Sequence, residues 1–351
     1  MLPTTQKALV LEQKYADLVL KDDVEVYEPG RGEILVKIHA TSLNPVDWKI
    51  QKKELGMFEE KFPFILGTDI AGEVVKLGEG VLEFKVGDRV FCQGRFENAW
   101  SGFQQYALLA ASATARIPES WTYEQAAALP VVLSAAYNAF YNVVPHGLGL
   151  TPPLTEEKEG VYSRTPIVIL GGASSVGQIA LQLAKLSGFS PIITTASSKH
   201  ADNLKRLGAT DVLDRNLSGR ELKAEIDKIT GGKPIKYAFD SISSAATQQV
   251  GVEILSPSGT LATVLPVVVD VPEDKNTVST LGIFSHSPQH LGLLETLYHD
   301  KITGWLERGV IRSNEIEILP NGLLGIPDGM ARMEADQVSG RKLVARPQET
   351  P

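Results

Sequence analysis

The segment Ile167-Val168-Ile169-Leu170-Gly171-Gly172-Ala173-Ser174-Ser175-Val176-Gly177-Gln178-Ile179-Ala180 joins an aliphatic run to a Gly/Ser turn and then to a helix start. A turn of this kind does chemistry with its backbone. An early glycine lets the chain leave a strand sharply, a late one lets helix and strand pack closely, and the helix N-terminus aims unpaired N–H groups at a pyrophosphate. Gly172 and Gly177 supply the outer positions of a dinucleotide fingerprint, and Ser174 stands where the fingerprint has its middle glycine. A small side chain there still permits close approach, and its hydroxyl is placed to donate to phosphate. Ser175 and Val176 fill the remaining positions of the turn. The bland alternative is a tight strand-to-helix turn with no ligand. The strand before, the helix after and a second βα unit weigh against it.

The end of the next strand chooses the nucleotide. About 20 residues past such a loop, an NAD enzyme places Asp or Glu on the ribose 2′-OH. Here the chain reads Thr194-Thr195-Ala196-Ser197-Ser198-Lys199-His200, with no carboxylate before Asp202. Ser197 and Ser198 offer hydroxyls, Lys199 and its neighbour His200 offer nitrogen donors, and Arg215 follows the next strand, Val212-Leu213-Asp214. A 2′-phosphate suits this set, so NADPH is expected over NADH. The competing view makes Lys199 and Arg215 ordinary solvated charges.

Metal chemistry finds little support. Cys92 is the only cysteine, which excludes an intrachain disulfide and a Cys-rich zinc site and fits a reducing, cytoplasmic compartment. His286 and His290 are four apart, but Ser287-Pro288 breaks the helix that would align them, and they read as loop histidines.

The elements that must carry these residues fall into two styles. The 351 residues suit about two domains, and 43% hydrophobic with 22% charged residues is ordinary for a soluble globular chain. Asp+Glu outnumber Lys+Arg by 42 to 34, a net charge of -8 that argues against nucleic acid as the main partner. Met1 to Gln6 lacks a secretory layout, and no apolar run approaches the roughly 18 residues of a membrane span. The first third is β-rich: Ala8–Leu11, Ile34–Ile38, Gly72–Gly78 and the strand after Val86-Gly87-Asp88 are short and turn-bounded, as in a small barrel or sandwich. Near residue 121 the style changes. Thr122 with Gln125 forms a capping box, and an apolar helix is expected to run from there toward Tyr141. Residues 151–165 read as a surface loop. Strands at Ile167–Leu170, Pro191–Thr195, Tyr237–Asp240 and Gly259–Val264 then alternate with helices, implying a parallel sheet covered on both faces.

With both halves in view, the chain resembles the medium-chain dehydrogenase/reductase superfamily, and within it the zinc-independent quinone and enoyl reductase branch, including fungal trans-acting enoyl reductases. The motifs are Ser42-Leu43-Asn44-Pro45-Val46-Asp47-Trp48-Lys49, Leu66-Gly67-Thr68-Asp69-Ile70-Ala71-Gly72-Glu73-Val74, Val86-Gly87-Asp88-Arg89-Val90, Ala127-Ala128-Leu129-Pro130 and Lys342-Leu343-Val344. The resemblance implies an α/β fold: a GroES-like β-barrel catalytic domain over 1–123, a Rossmann doubly wound parallel-sheet cofactor domain over 124–287, and a C-terminal return to the catalytic domain over 288–351. Zinc members carry a Cys near position 44, Gly-His-Glu near 67–69 and a four-cysteine lobe near 90–110. This chain has Asn44, Gly67-Thr68-Asp69 and Cys92 alone.

The resemblance also assigns roles. Asn44, Pro45, Val46 and Asp47 lie beside the nicotinamide and its ribose, with Asn44 as polar orienter and Asp47 fixing the loop. Lys49, where quinone reductases often have Tyr, contacts ribose or substrate or relays a proton. The tyrosine donor of mitochondrial-type enoyl reductases would fall near Leu55, which cannot donate. Ser134, Leu265, Pro266, Val338 and Ser339 are further cofactor contacts, and Phe96, Trp100 and Phe103 line an apolar substrate cleft or serve as packing. The expected reaction is hydride transfer from NADPH to an activated C=C bond of a small-molecule or carrier-bound substrate, with no metal. Quinone reduction is the alternative, and a non-catalytic NADPH-binding or partner-docking protein is a third. No nucleic-acid or membrane partner is expected, and the chain is a monomer or homodimer.

Overall fold

A computed structural model describes residues 2–53, 62–280, 282 and 288–351. The expectations placed on Leu55, His286 and the side chain of His290 lie outside the described residues. Two compact units emerge: Met1–Val131 with Leu294–Glu307 and Ser313–Pro351, and Val132–Leu293 with Arg308–Arg312.

The first unit begins with strands β1 (Thr5–Leu11), β2 (Leu18–Glu25) and β3 (Glu33–Ser42), helix α1 (Pro45–Lys53), then β4 (Phe64–Ile65), β5 (Asp69–Leu77), β6 (Arg89–Gln93), β7 (Tyr106–Ala110) and β8 (Ala115–Arg116). β1 lies between β2 and β4 in a small antiparallel sheet. β3 is the hub of the larger sheet and pairs antiparallel with both β5 and β7. Its register sets Ser42 opposite Asp69, which decides where the site forms. Leu9, Leu43, Phe64, Leu66 and Phe103 fill the adjoining core.

Helix α2 (Tyr123–Ala127) starts on the Thr122/Gln125 capping box. The helix expected to continue from it toward Tyr141 is in fact broken, and α3 (Pro130–Tyr141) begins afresh. Pro130 has no N–H to continue a helical ladder, and its fixed φ suits the first position of a new helix.

The second unit contains β9 (Ile167–Leu170), α4 (Ser175–Leu186), β10 (Ile192–Ala196), α5 (Ala201–Leu207), β11 (Asp211–Asp214), α6 (Gly219–Thr230), β12 (Tyr237–Asp240), α7 (Ala245–Ile254), β13 (Thr260–Thr263) and β14 (Asn276–Ser279). The strands run parallel in the order β11-β10-β9-β12-β13-β14. This is a doubly wound sheet whose order reverses beside β9, the place where a crevice opens at the carboxyl ends of the strands. β9 is buried at all four residues, as a central parallel strand must be. Val168, Leu170 and Ile193 pack there against Leu222 and Ile226 of α6 and Val252 of α7.

The chain then returns to the first unit with β15 (Glu315–Ile318) and β16 (Arg341–Ala345). β16 pairs parallel with β15 and antiparallel with β3, placing Val344 opposite Ser42. Among the described residues no helix is long and apolar enough to cross a membrane.

Candidate active site

In the second unit the turn after β9 is shaped by its glycines. Gly171 has φ +77°, the left-handed region, so it is the residue that turns the chain off the strand. Gly172 has a different duty: a Cβ there would meet Thr194 Oγ1 at 2.1 Å. The turn is anchored on both sides, with Gly171 N–H donating to Thr195 Oγ1 (3.1 Å) and Ser241 N–H donating to the Leu170 carbonyl (3.1 Å).

Ser174 does not hold its hydroxyl out for a phosphate, as its position in the fingerprint suggested. Its Oγ accepts from Gly177 N–H at 2.9 Å as the N-cap of α4 and donates to Ser241 Oγ at 2.8 Å. Both capacities are spent inside the fold. The Gln178 N–H donates to the Ser174 carbonyl, so Ser175 and Val176 are the first-turn residues whose N–H groups have no intrahelical partner. Those two stand at the positive end of the α4 dipole, where a helix N-terminus favours an anion.

The neighbouring strand ends carry the positive side chains. β10 and β11 are registered so that Ala196 faces Asp214, and the Arg215 N–H donates to the Ala196 carbonyl at 3.2 Å. Ser197 and Arg215 therefore leave adjacent strands at one level. Ser198, Lys199 and Arg215 are exposed, and neither cation pairs with a carboxylate among the described residues. The half-buried His200 donates its N–H to the Ser197 carbonyl. Counting along the chain from the loop misses one carboxylate: Asp214 stands beside Ala196 and accepts from the Asn216 N–H at 2.8 Å. At the end of β13, the Leu265 carbonyl accepts from Thr263 Oγ1 and the Pro266 carbonyl from Gln248 Nε2, so both already have partners in the fold. Ser134 is fully buried midway along α3. Asp240, at the end of β12, is held above the usual carboxylate range by burial, against the opposing Ser243 and Ile242 N–H groups.

In the first unit Asn44 and Asp47 come together at the start of α1. Asp47 Oδ2 accepts from Asn44 N–H at 2.7 Å, closing the turn, while Oδ1 is buried without a hydrogen-bond partner. Burial raises the Asp47 carboxyl to about 7, opposed by the Asn44 N–H and helped by the nearby Asp69 charge. The Asn44 side chain points inward and is 1% exposed. Its Nδ2 donates to Asp69 Oδ2 at 2.8 Å, and its Oδ1 accepts from Lys342 Nζ at 2.6 Å. Asp69 also receives the Ser42 hydroxyl, Lys342 Nζ at 3.0 Å and, on Oδ1, the Val131 N–H at 2.7 Å.

Ser42, Asp69 and Lys342 are thus the centre of a network in which Asn44 is one member. In the sequence all three stand only inside motif segments, with no spacing that ties them to one another. Of the other residues expected here, Pro45 is exposed and Val46 partly buried against the core. Lys49 is half-buried with Nζ 5.7 Å from the Trp48 ring centroid. Val338 packs partly against the core, and Ser339 is exposed just before β16. The aromatic cleft dissolves into packing. Phe103 is fully buried in the core beside Leu66, Phe96 lies partly against that core, and Trp100 packs with Leu35, Leu108 and the Arg95 guanidinium.

A zinc ion does not fit these residues. The Cys92 thiol is buried, pushed up to about 12 by burial, and turned toward the Ala113 carbonyl at 3.0 Å. Both Asp69 oxygens are taken, and among the described residues no group of three His, Cys, Asp or Glu stands ready to hold a metal. A dinucleotide does fit: α4 presents two free N–H groups, and the backbone before it is bare enough to be approached.

Known proteins agree with this architecture. The alcohol dehydrogenase GroES-like domain matches residues 30–119, and the zinc-binding dehydrogenase domain matches residues 175–293. The trans-enoyl reductase himH of Aspergillus japonicus is 33% identical over 322 residues, covering 89% of each chain. A chloroplast envelope quinone oxidoreductase homolog of Arabidopsis thaliana is 37% identical over 207 residues, 58% of this chain and 59% of that one. The crystal structure of an alcohol dehydrogenase superfamily protein from Novosphingobium aromaticivorans superposes with TM-score 0.80 at 22% identity, covering 97% of this chain and 99% of that one. The two matched domains, the sheet order and the near full-length likeness together establish that the chain belongs to the medium-chain dehydrogenase/reductase superfamily, whose members are NAD(P)-dependent oxidoreductases.

Proposed function

We propose that this chain is a zinc-independent, NADPH-dependent reductase of activated C=C bonds, acting on an enone or enoyl thioester, free or carrier-bound. The observation that carries the reading is the placement of exposed, unpaired Lys199 and Arg215 at the carboxyl ends of two strands flanking the open N-terminus of α4. The Ser175 and Val176 N–H groups take the pyrophosphate, while Ser197, Ser198, Lys199, His200 and Arg215 take the 2′-phosphate. Asn44, Pro45, Val46, Asp47, Ser134, Leu265, Pro266, Val338 and Ser339 are assigned to the reacting end of the nucleotide, and Lys49 to the ribose, the substrate or a proton relay. NADPH supplies a hydride when bound; the protein's task is to orient the acceptor and to meet the charge growing on its oxygen with hydrogen bonds. With no group of three metal ligands among the described residues, donors and positioning take the place of a Lewis acid.

The likeness to trans-enoyl reductase himH supports a C=C acceptor. That to the Arabidopsis quinone oxidoreductase homolog favours a quinone as second reading. Acid-rich composition and a lone buried thiol suit a cytoplasmic monomer or homodimer acting on small molecules rather than nucleic acid. Titration with NADPH and NADH, followed by enoyl thioesters, enones and quinones, tests all of this. Tight NADPH binding with enoyl turnover supports the first reading, quinone turnover alone the second. Failure to bind either nucleotide removes both.

A further inference from the structure

A carboxamide such as Asn44 has nearly the same shape when its nitrogen and oxygen exchange places, so only its partners decide which end points where. Here the partners leave no choice. Lys342 is donor-only and meets Oδ1 at 2.6 Å; the Asp69 carboxylate is acceptor-only and meets Nδ2 at 2.8 Å. Exchanging the ends would set N–H against ammonium and carbonyl against carboxylate at once. Lys342 has three protons and three acceptors, namely Asn44 Oδ1, Asp69 Oδ2 at 3.0 Å and the Leu43 carbonyl at 3.0 Å. It therefore holds the backbone immediately before Asn44 as well as its side chain. Asp69 is secured independently by Ser42 Oγ and the Val131 N–H. A lysine whose side chain is only 4% exposed, spent entirely on one amide, one carbonyl and one carboxylate, is costly to bury unless that geometry matters.

We propose that Lys342 is a positioning residue for the reduction, a role that rests on the reductase reading above. With Asp69 it locks the orientation of the Asn44 amide, so that the remaining Nδ2–H has one fixed direction when the substrate is reduced. Asn44 is the residue acted upon, and Lys342 works through it.

The experiment measures kcat, acceptor KM, NADPH Kd and thermal unfolding for the wild type and for Asn44→Ala, Lys342→Met and their double variant. Expected are losses of about tenfold or more in kcat per folded molecule for each single variant, with any rise in NADPH Kd no larger for Lys342→Met than for Asn44→Ala. The double variant should lose no more than the worse single one. A Lys342→Met enzyme that keeps wild-type kcat, or losses that multiply in the double variant, overturns the proposal.

Asn44→Asp decides the matter if Lys342→Met does not fold. The introduced carboxyl still accepts from Lys342, but it donates to Asp69 only when protonated. Facing Asp69, Asp47 and Lys342, it should give an enzyme whose kcat, relative to wild type at each pH, rises as pH falls. A ratio flat with pH overturns the proposal. Wild-type protein that turns over no acceptor defeats the reductase reading instead, and the two failures are distinct.

Discussion

Lys342 Nζ lies 3.0 Å from Asp69 Oδ2, joining two residues 273 positions apart inside the first unit. The pair puts one buried cation beside two buried carboxylates, because Asp47 lies close enough for the Asp69 charge to act on it. Asp69 has the lysine and three further donors, whereas Asp47 has one N–H and an unpartnered oxygen. Asp47 is the member that resists ionising.

Acid should therefore stabilise the fold relative to an Asp47→Asn variant. The folded carboxyl is raised to about 7 from 3.8, so below about pH 4 both folded and unfolded chains hold the proton and nothing is gained or lost. Between about 4 and 7 the unfolded chain ionises first, and stability falls as pH rises, by up to about 4 kcal/mol. Asparagine keeps an oxygen for the Asn44 N–H and removes that slope. Urea unfolding from pH 4.5 to 8 should show the wild type losing ground to the variant until about pH 7 and running parallel above it. Parallel curves throughout would contradict the assignment.

On the proposed reading, in which Lys199 meets only the 2′-phosphate, Lys199→Ala should weaken NADPH about tenfold or more while leaving NADH within about twofold. Fluorescence titration with both nucleotides checks it. Equal losses would return Lys199 to an ordinary solvated charge. Asp214→Asn, at the end of the neighbouring strand β11, should tighten NADPH slightly by removing a negative charge beside Ala196.

Gly177→Val should abolish binding of both nucleotides together. A Cβ at that position would meet the Gly171 carbonyl oxygen at 2.4 Å and the Gly172 Cα at 2.9 Å, so α4 must move away from the turn that directs it. A thermal shift with saturating NADPH reads this directly: the wild type gains in Tm and the variant gains nothing. Discrimination between nucleotides by this variant would count against a shared pyrophosphate cradle.

Prolonged dialysis against a zinc chelator should leave the turnover rate unchanged, because no ligand trio exists among the described residues. In the same preparation the Cys92 thiol should resist a thiol reagent until the fold is opened with denaturant, being buried and held to about 12 by that burial. Loss of activity on chelation, restored by zinc alone, would defeat the metal-free reading.

Much of the fold was legible in the sequence because it is written locally. The alternation of β9, α4, β10 and α5 follows from aliphatic runs, capping serines and glycines that act within a few residues of themselves. The Thr122/Gln125 capping box is of that kind. Where local signals competed, reading along the chain erred. An apolar stretch outweighed Pro130 and merged α2 with α3, whereas for Phe96, Trp100 and Phe103 the sequence left cleft and packing both open, and their neighbours show packing.

What the sequence by itself determined is the backbone chemistry of the glycine turn over 171–177 and the absence of an early acid after β10. Glycine, serine and charge act there through short-range sterics and local dipoles. Tertiary structure alone decided the polar centre of the first unit. Ser42, Asn44, Asp69 and Lys342 carry no mutual spacing rule, and they meet because β3 pairs with β5 on one side and β16 on the other. It also decided that the Ser174 hydroxyl serves α4 and Ser241 rather than a ligand. Hydrogen bonds form between whatever atoms folding brings within about 3 Å, and strand register, set by packing across hundreds of residues, chooses those atoms.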